Sequence, residues 1–116
     1  MNLDTLHVEH IIEAVSHLQE FIARPDAQIR YREDWLAQAG ILRTLQTLSE
    51  SAQKLSPNVK ERYPEIPWTE IKGMRNALVH GYLGELDLET VWQTIRKDLT
   101  QLKNCLEAYA KETKND

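Results

Sequence analysis

Leu88, Trp92, Ile95, Leu99, Leu102, Leu106 and Tyr109 follow one another at alternating intervals of four and three residues. That rhythm places all seven on one side of an α-helix, whereas a strand would scatter them over both faces. A seam so strict suits a helix packed antiparallel in a bundle, and its length leaves apolar surface for a second copy of the chain. Asp87 stands where a side chain can cap the first turn, and Glu89 favours the positive end of the helix. With only four Gly and four Pro in 116 residues, there are too few turn formers for a β fold. The length predicts one small domain, residues 1–116, with a single core.

The other segments read the same way. From Asp4, a candidate cap, to Ile22, the residues Leu6, Ile11, Val15, Leu18 and Ile22 recur at helical spacing, and Arg24-Pro25 stops the run. A second helix is expected to begin between Asp26 and Asp34 and to reach Leu55, with Leu36, Ala39, Leu42, Leu45, Leu48, Ala52 and Leu55 as its stripe. Gly40 inside it suggests a close helix contact, and Arg43 lies one position off the stripe. Ser56-Pro57 reads as an N-cap and first helical position, opening a short helix to about Tyr63. Pro64-Glu65-Ile66-Pro67 then forces an extended connection, and Trp68 is expected to anchor the start of the next helix. The polar residues from Glu112 should fray.

That next helix carries Gly73-Met74-Arg75-Asn76-Ala77-Leu78-Val79-His80-Gly81-Tyr82. Arg75 and Tyr82 are seven residues apart and nearly in line on a helix, while Asn76 and His80, four apart, form a second row close beside them, so the four polar side chains are expected to share one broad face. Ile71, Met74 and Leu78 supply an apolar stripe to hold that helix on a core. Arg can clamp a phosphate and stabilise the charge of a phosphoryl transition state. His can pass a proton either way near neutrality, Asn can orient an oxygen, and Tyr can donate a hydrogen bond or be modified. No metal is required where the nucleophile belongs to the substrate, as when a ribose 2′-OH attacks its own phosphate. The bland alternative stands beside this one: Arg and His near a helix C-terminus are favoured by the macrodipole alone, and a Tyr beside a Gly is an ordinary packing residue.

Composition removes several function classes. A net charge of −4 argues against coating long nucleic acid by bulk attraction, though it leaves room for a local RNA site. One cysteine, Cys105, cannot close an intrachain disulfide and reads as a packing residue. No basic leader with an apolar run and no stretch of membrane-spanning length is present, so a cytoplasmic protein is expected. His7, His10 and His17 share one helix, yet no carboxylate or thiol cluster completes a metal site. No phosphate loop or hydrolase elbow is found.

Arg75, four residues, His80, one residue, Tyr82 matches the Arg-X4-His-X-Tyr signature of the HEPN superfamily. The wider chain resembles its HepT-like branch, through His10-Ile11-Ile12-Glu13-Ala14, Lys54-Leu55-Ser56-Pro57, Tyr63 to Trp68, Met74 to His80, Val91-Trp92 and Asp98-Leu99. Two departures bear on helix packing and on how Tyr82 is presented: Gly81 stands where a larger residue is common, and Gln46 to Ser51 is more polar than usual. The resemblance implies an all-α, up-and-down HEPN-type bundle of four main helices plus one short helix. It implies a homodimer that brings two Arg75/His80 sets into one cleft, where two of each suit acid-base cleavage. The function implied is that of a metal-independent endoribonuclease toxin of a type VII toxin–antitoxin pair, acting on RNA without a cofactor. Arg75 and His80 would be catalytic, with Asn76 and Tyr82 in support. The implied partner is an MntA-like minimal nucleotidyltransferase antitoxin that transfers AMP to Tyr82. A non-catalytic HEPN subunit that binds a nucleotide or accompanies a nucleotidyltransferase is the alternative, and a structural helical module is the third reading.

Overall fold

The computed structural model describes residues 3–80 and 86–114. Every element among them is helical: α1 Leu3–Ile22, α2 Ala27–Glu33, α3 Trp35–Gln53, α4 Pro57–Arg62, α5 Trp68–His80, α6 Leu88–Lys97 and α7 Leu99–Lys114. The expected all-α bundle is present, with two of its long helices divided. The break in the second falls at Asp34, which leaves the helix (φ −93°, ψ 100°) and accepts hydrogen bonds from the Leu36 and Ala37 amides at 3.1 and 3.2 Å. Its carboxylate satisfies amides that open the new helix, and their hydrogen bonds hold its carboxyl below the usual carboxylate range. The last helix is interrupted at Asp98, whose backbone stays in the right-handed helical region (φ −100°, ψ −22°).

The seam that suggested the bundle is its core. Trp92, Ile95, Leu99, Leu102, Leu106 and Tyr109 are all buried, and they meet Ile11, Val15 and Leu18 of α1 and Leu45 and Leu48 of α3. Tyr31 of α2 stacks on Trp92, with ring centroids 4.8 Å apart, and its hydroxyl donates to the Leu88 carbonyl at 2.7 Å. Arg32 adds an ion pair to Glu89 at 2.9 Å. α2 thereby pins the start of α6, where Asp87 caps as expected by accepting from the Glu89 and Thr90 amides.

The stripe expected on α3 needs correction. Leu36 is 67% exposed and Ala39 faces solvent, while Ile41, Leu45, Leu48, Ala52 and Leu55 are buried. The cause is geometric: residues repeated every three positions drift around a helix of 3.6 per turn, so Leu36 and Leu45 stand about 180° apart. Ile41 opens the series that alternates by four and three. Gly40 is exposed, and a Cβ there would meet nothing within 4 Å among the described residues, so no described helix presses on it.

Two capping expectations also shift. Asp4 lies inside the first turn of α1, and its carboxylate accepts from the Ser56 amide at 2.9 Å and the Ser56 hydroxyl at 2.7 Å. Ser56 does precede α4 with Pro57 at the first position, but with its hydroxyl on Asp4 it makes no side-chain cap. At the other end α7 extends through Glu112 to Lys114, and Glu112 pairs with Arg62 of α4. Cys105 is half-buried, and burial with the Glu65 charge pushes its thiol above the ordinary value, as suits a packing residue. No helix among the described residues is long and apolar enough to cross a membrane.

Candidate active site

The helix that carries the motif is placed from its first residue. Ile66 is buried, and the Trp68 indole nitrogen donates to the Tyr63 carbonyl at 3.0 Å, so the Pro64–Pro67 connection is tied down at both ends. Trp68 is half-buried against the core and acts as the expected anchor. From there α5 packs chiefly on α3. Trp68 and Lys72 lie near Ala52 and Gln53, whereas Met74 lies near Leu48, so the two helices run in opposite directions.

No residue of α5 is fully buried. Ile71, Met74 and Leu78 form the expected apolar stripe and are partly covered by the core. Beneath them a cavity of about 90 Å³ is lined by Leu48, Ile71, Met74, Leu99 and Leu102, with Glu70 and Asp98 also on its wall. The motif helix therefore rides on the bundle instead of filling it, which leaves its polar side chains accessible.

Arg75 and Asn76 are brought together: Arg75 Nη1 donates to Asn76 Oδ1 at 3.3 Å. The Arg75 side chain is 35% exposed, and its Nε is buried without a hydrogen-bond partner among the described residues. Facing that Nε, at 3.9 Å, is Oε1 of Glu50 from α3. Glu50 is itself fixed, because Gln46 Nε2 donates to the same Oε1 at 2.9 Å. That hydrogen bond, then the charges of Arg75, Arg43 and Lys54, hold the Glu50 carboxyl below its usual range, so it is ionised at neutral pH.

Glu50 and Gln46 were not among the residues that the motif singled out. Their signal was present in the sequence as the polar run Gln46 to Ser51, and the structure gives partners to several members of that run, though the buried Ser49 hydroxyl has no hydrogen bond among the described residues. Gln46 and Glu50 face Arg75, while Ser51 receives His10, whose Nδ1 lies 2.7 Å from the Ser51 hydroxyl. Arg43, two turns before Glu50 on the same helix, is exposed.

His80 is the last residue of α5 and is exposed. Five residues of helix separate it from Arg75, or about 140° of rotation and 7.5 Å of rise. Within one copy the two therefore stand apart around α5 and do not share the one face expected of them, and no hydrogen bond joins them among the described residues. Tyr82 lies outside the described residues.

The family model for HepT-like ribonucleases matches residues 11–109. The chain belongs to the HepT-like family. A protein of Thermococcus cleftensis named probable ribonuclease HepT is 31% identical over 105 residues, covering 90% of this chain and 94% of that one. A protein of Methanocaldococcus jannaschii, provisionally named an RNase, is 35% identical over 72 residues, or 62% of this chain and 61% of that one. Another, from Caldanaerobacter subterraneus subsp. tengcongensis and also provisionally named an RNase, is 29% identical over 97 residues, covering 84% and 85%. No solved structure matches. The stretch shared with the family runs from α1 to α7 and so includes α3 and α5, the two helices that carry Glu50, Arg75, Asn76 and His80.

Proposed function

We propose that this chain is a cytoplasmic endoribonuclease toxin that cleaves RNA without a metal ion. The observation that carries this reading is the half-buried Arg75 guanidinium, whose Nε edge faces Glu50 of α3 and whose Nη1 is on Asn76, on a helix whose polar face is otherwise open. With one Nη1 hydrogen on Asn76, the guanidinium still has other Nη hydrogens to offer a phosphate. In the reaction His80 takes the proton of a ribose 2′-OH, the 2′-oxygen attacks the adjacent phosphorus, and the bond to the 5′-oxygen breaks. A second His80, protonated, returns a proton to that leaving oxygen. The products are a 2′,3′-cyclic phosphate and a 5′-hydroxyl, and Arg75 neutralises the extra charge on the phosphoryl oxygens.

Two histidines require two chains. The angular separation of Arg75 and His80 on α5 supports a composite site in a homodimer, in which the two copies of α5 complete each other's acid, base and phosphate contacts. Ile29, Trp35 and Leu36, which are 61%, 75% and 67% exposed, concentrate large apolar surface around the junction of α2 and α3. Surface of that kind supports association. In the same reading an MntA-like nucleotidyltransferase antitoxin silences the enzyme. The Tyr82 phenolic oxygen attacks the α-phosphorus of ATP, pyrophosphate leaves, and the AMP placed near Arg75 repels RNA.

The test is cleavage of RNA in EDTA by the wild-type chain, by Arg75→Ala and by His80→Ala, with the termini analysed and the oligomeric state read by light scattering. Each variant should remain folded and lose on the order of 10² to 10³ in rate. A wild type that needs a divalent cation, or variants that cleave normally, would overturn the mechanism. A folded dimer with no cleavage of any RNA would favour a non-catalytic nucleotidyltransferase partner. Incubation with the antitoxin and ATP should add AMP at Tyr82, which peptide mapping reads directly.

A further inference from the structure

We infer that Glu50, held in place by Gln46, is the positioning residue for Arg75. The inference rests on the reading of Arg75 as the phosphate-binding group, and it assigns a role to a residue of α3 that lies outside the motif.

Three observations converge on Glu50. Its Oε1 lies 3.9 Å from the buried Arg75 Nε, and that Nε has no hydrogen bond among the described residues. The same Oε1 accepts from Gln46 Nε2 at 2.9 Å, one turn earlier on α3, so the carboxylate does not swing freely. The Glu50 side chain is 32% exposed, far less than a solvated surface glutamate. The positions on α3 matter as much as the distances. Gln46 and Glu50 are four apart and share a face, and that face looks onto the helix that carries Arg75.

The chemistry follows from the shape of a guanidinium. Its five N–H groups lie in one plane, and a carboxylate charge facing the Nε side at 3.9 Å, too long for a hydrogen bond, attracts that edge and leaves the Nη hydrogens to other partners. Asn76 touches Nη1 at 3.3 Å, on the neighbouring position of the same helix. With Glu50 on one side and Asn76 on the other, the guanidinium is restrained before substrate arrives. A donor aimed in advance at a developing charge stabilises the transition state more than one that must be ordered during the reaction. Glu50 also keeps Arg75 from folding onto other acceptors, and it does so without entering the site itself.

The experiment uses the full chain with Glu50→Gln, Gln46→Ala, and Glu50→Gln combined with Arg75→Ala. Steady-state cleavage of an RNA oligonucleotide is measured beside the exchange rate of the Arg75 Nε–H in a nitrogen-15 spectrum. Glu50→Gln should lower kcat by about tenfold and change KM less than about threefold, since small misplacements of a catalytic group act on the chemical step. Gln46→Ala should give a smaller loss of the same kind. In the double variant the loss should be no greater than that of Arg75→Ala alone, because Glu50 acts only through that side chain. The Arg75 Nε–H should exchange faster in Glu50→Gln. Losses that multiply in the double variant, a raised kcat in Glu50→Gln, or an unchanged Nε–H would each overturn the assignment. A wild type that cleaves no RNA would defeat the ribonuclease reading instead, and the Nε–H exchange would still decide whether Glu50 fixes Arg75.

Discussion

The α6–α7 seam and α5 are both helices with an apolar stripe, and the bundle treats them in opposite ways. Six residues of the seam, Trp92 to Tyr109, are buried in the core, whereas α5 buries none and sits over a cavity of about 90 Å³. The seam gives the protein its stability. α5 leaves its polar side chains accessible, as the proposed site requires, since side chains that meet a substrate cannot also fill a core. Stability and activity are therefore expected to respond to different helices.

The sharpest way to break that contrast is to truncate each stripe in turn. Leu106 of the seam is fully buried, and Leu106→Ala should lower the unfolding free energy by roughly 2–5 kcal/mol in denaturant titrations. Leu78→Ala on α5 removes a side chain that is only partly covered, and should lower it by less than about 2 kcal/mol. Equal losses at the two positions would mean that α5 is a core helix after all.

The seam was legible in the sequence because its spacing alternates by four and three, a rhythm that only one helix face can satisfy. The α3 stripe was misread where spacing of three alone carried it, from Leu36 to Leu45, since such a row winds around the helix. Asp34 falls at the edge of the window expected for the start of the second helix, but the separate α2 before it and the break at Asp98 were not expected. Asp34 has the chemistry of a cap, but nothing in the sequence says that a long periodic run will stop to use it. Asp98 lies on a seam that continues through it. The motif showed where Arg75, Asn76 and His80 would stand on a helix, and the structure brings the first two together. Glu50 was hidden because its partner is on another helix. A Gln and Glu four apart are common on a solvated face, and only the antiparallel packing of α3 on α5 gives this pair something to hold.

A second contrast separates the two helix ends that flank residues 81–85. α5 ends before them with its exposed His80, and α6 begins after them, clamped by Tyr31 through the 2.7 Å hydrogen bond to Leu88. Burial, then the charges of Glu89 and Asp87, push the Tyr31 hydroxyl up to about 12 from an ordinary value of 10.0. A folded-state value above the unfolded one means that the neutral hydroxyl stabilises the fold. That contribution is complete below pH 10 and is lost as pH rises from about 10 to 12, by roughly 2–3 kcal/mol at the upper end. Unfolding titrations across that window should show the decline in the wild type and a shallower one in Tyr31→Phe, which has no proton to lose. An identical alkaline slope in both chains would mean that the clamp on α6 does not depend on this hydroxyl.

The smallest effect sharpens the comparison most, because it alters α5 without touching the seam. Gly73 lies inside α5, is exposed, and a Cβ at that position would meet nothing within 4 Å among the described residues. A glycine inside a helix lowers its stability relative to alanine because the unfolded chain has more conformations to lose. Gly73→Ala should therefore raise the unfolding free energy by about 0.5–1 kcal/mol, and at this open position no neighbour has to move to admit the methyl group. RNA cleavage then says what the open space is for. Unchanged activity would make Gly73 a neutral residue on a helix that tolerates stiffening. A chain that is more stable yet slower would show that substrate or a second copy of the protein approaches the α5 backbone at Gly73, two residues before Arg75, a close contact that a single chain cannot display.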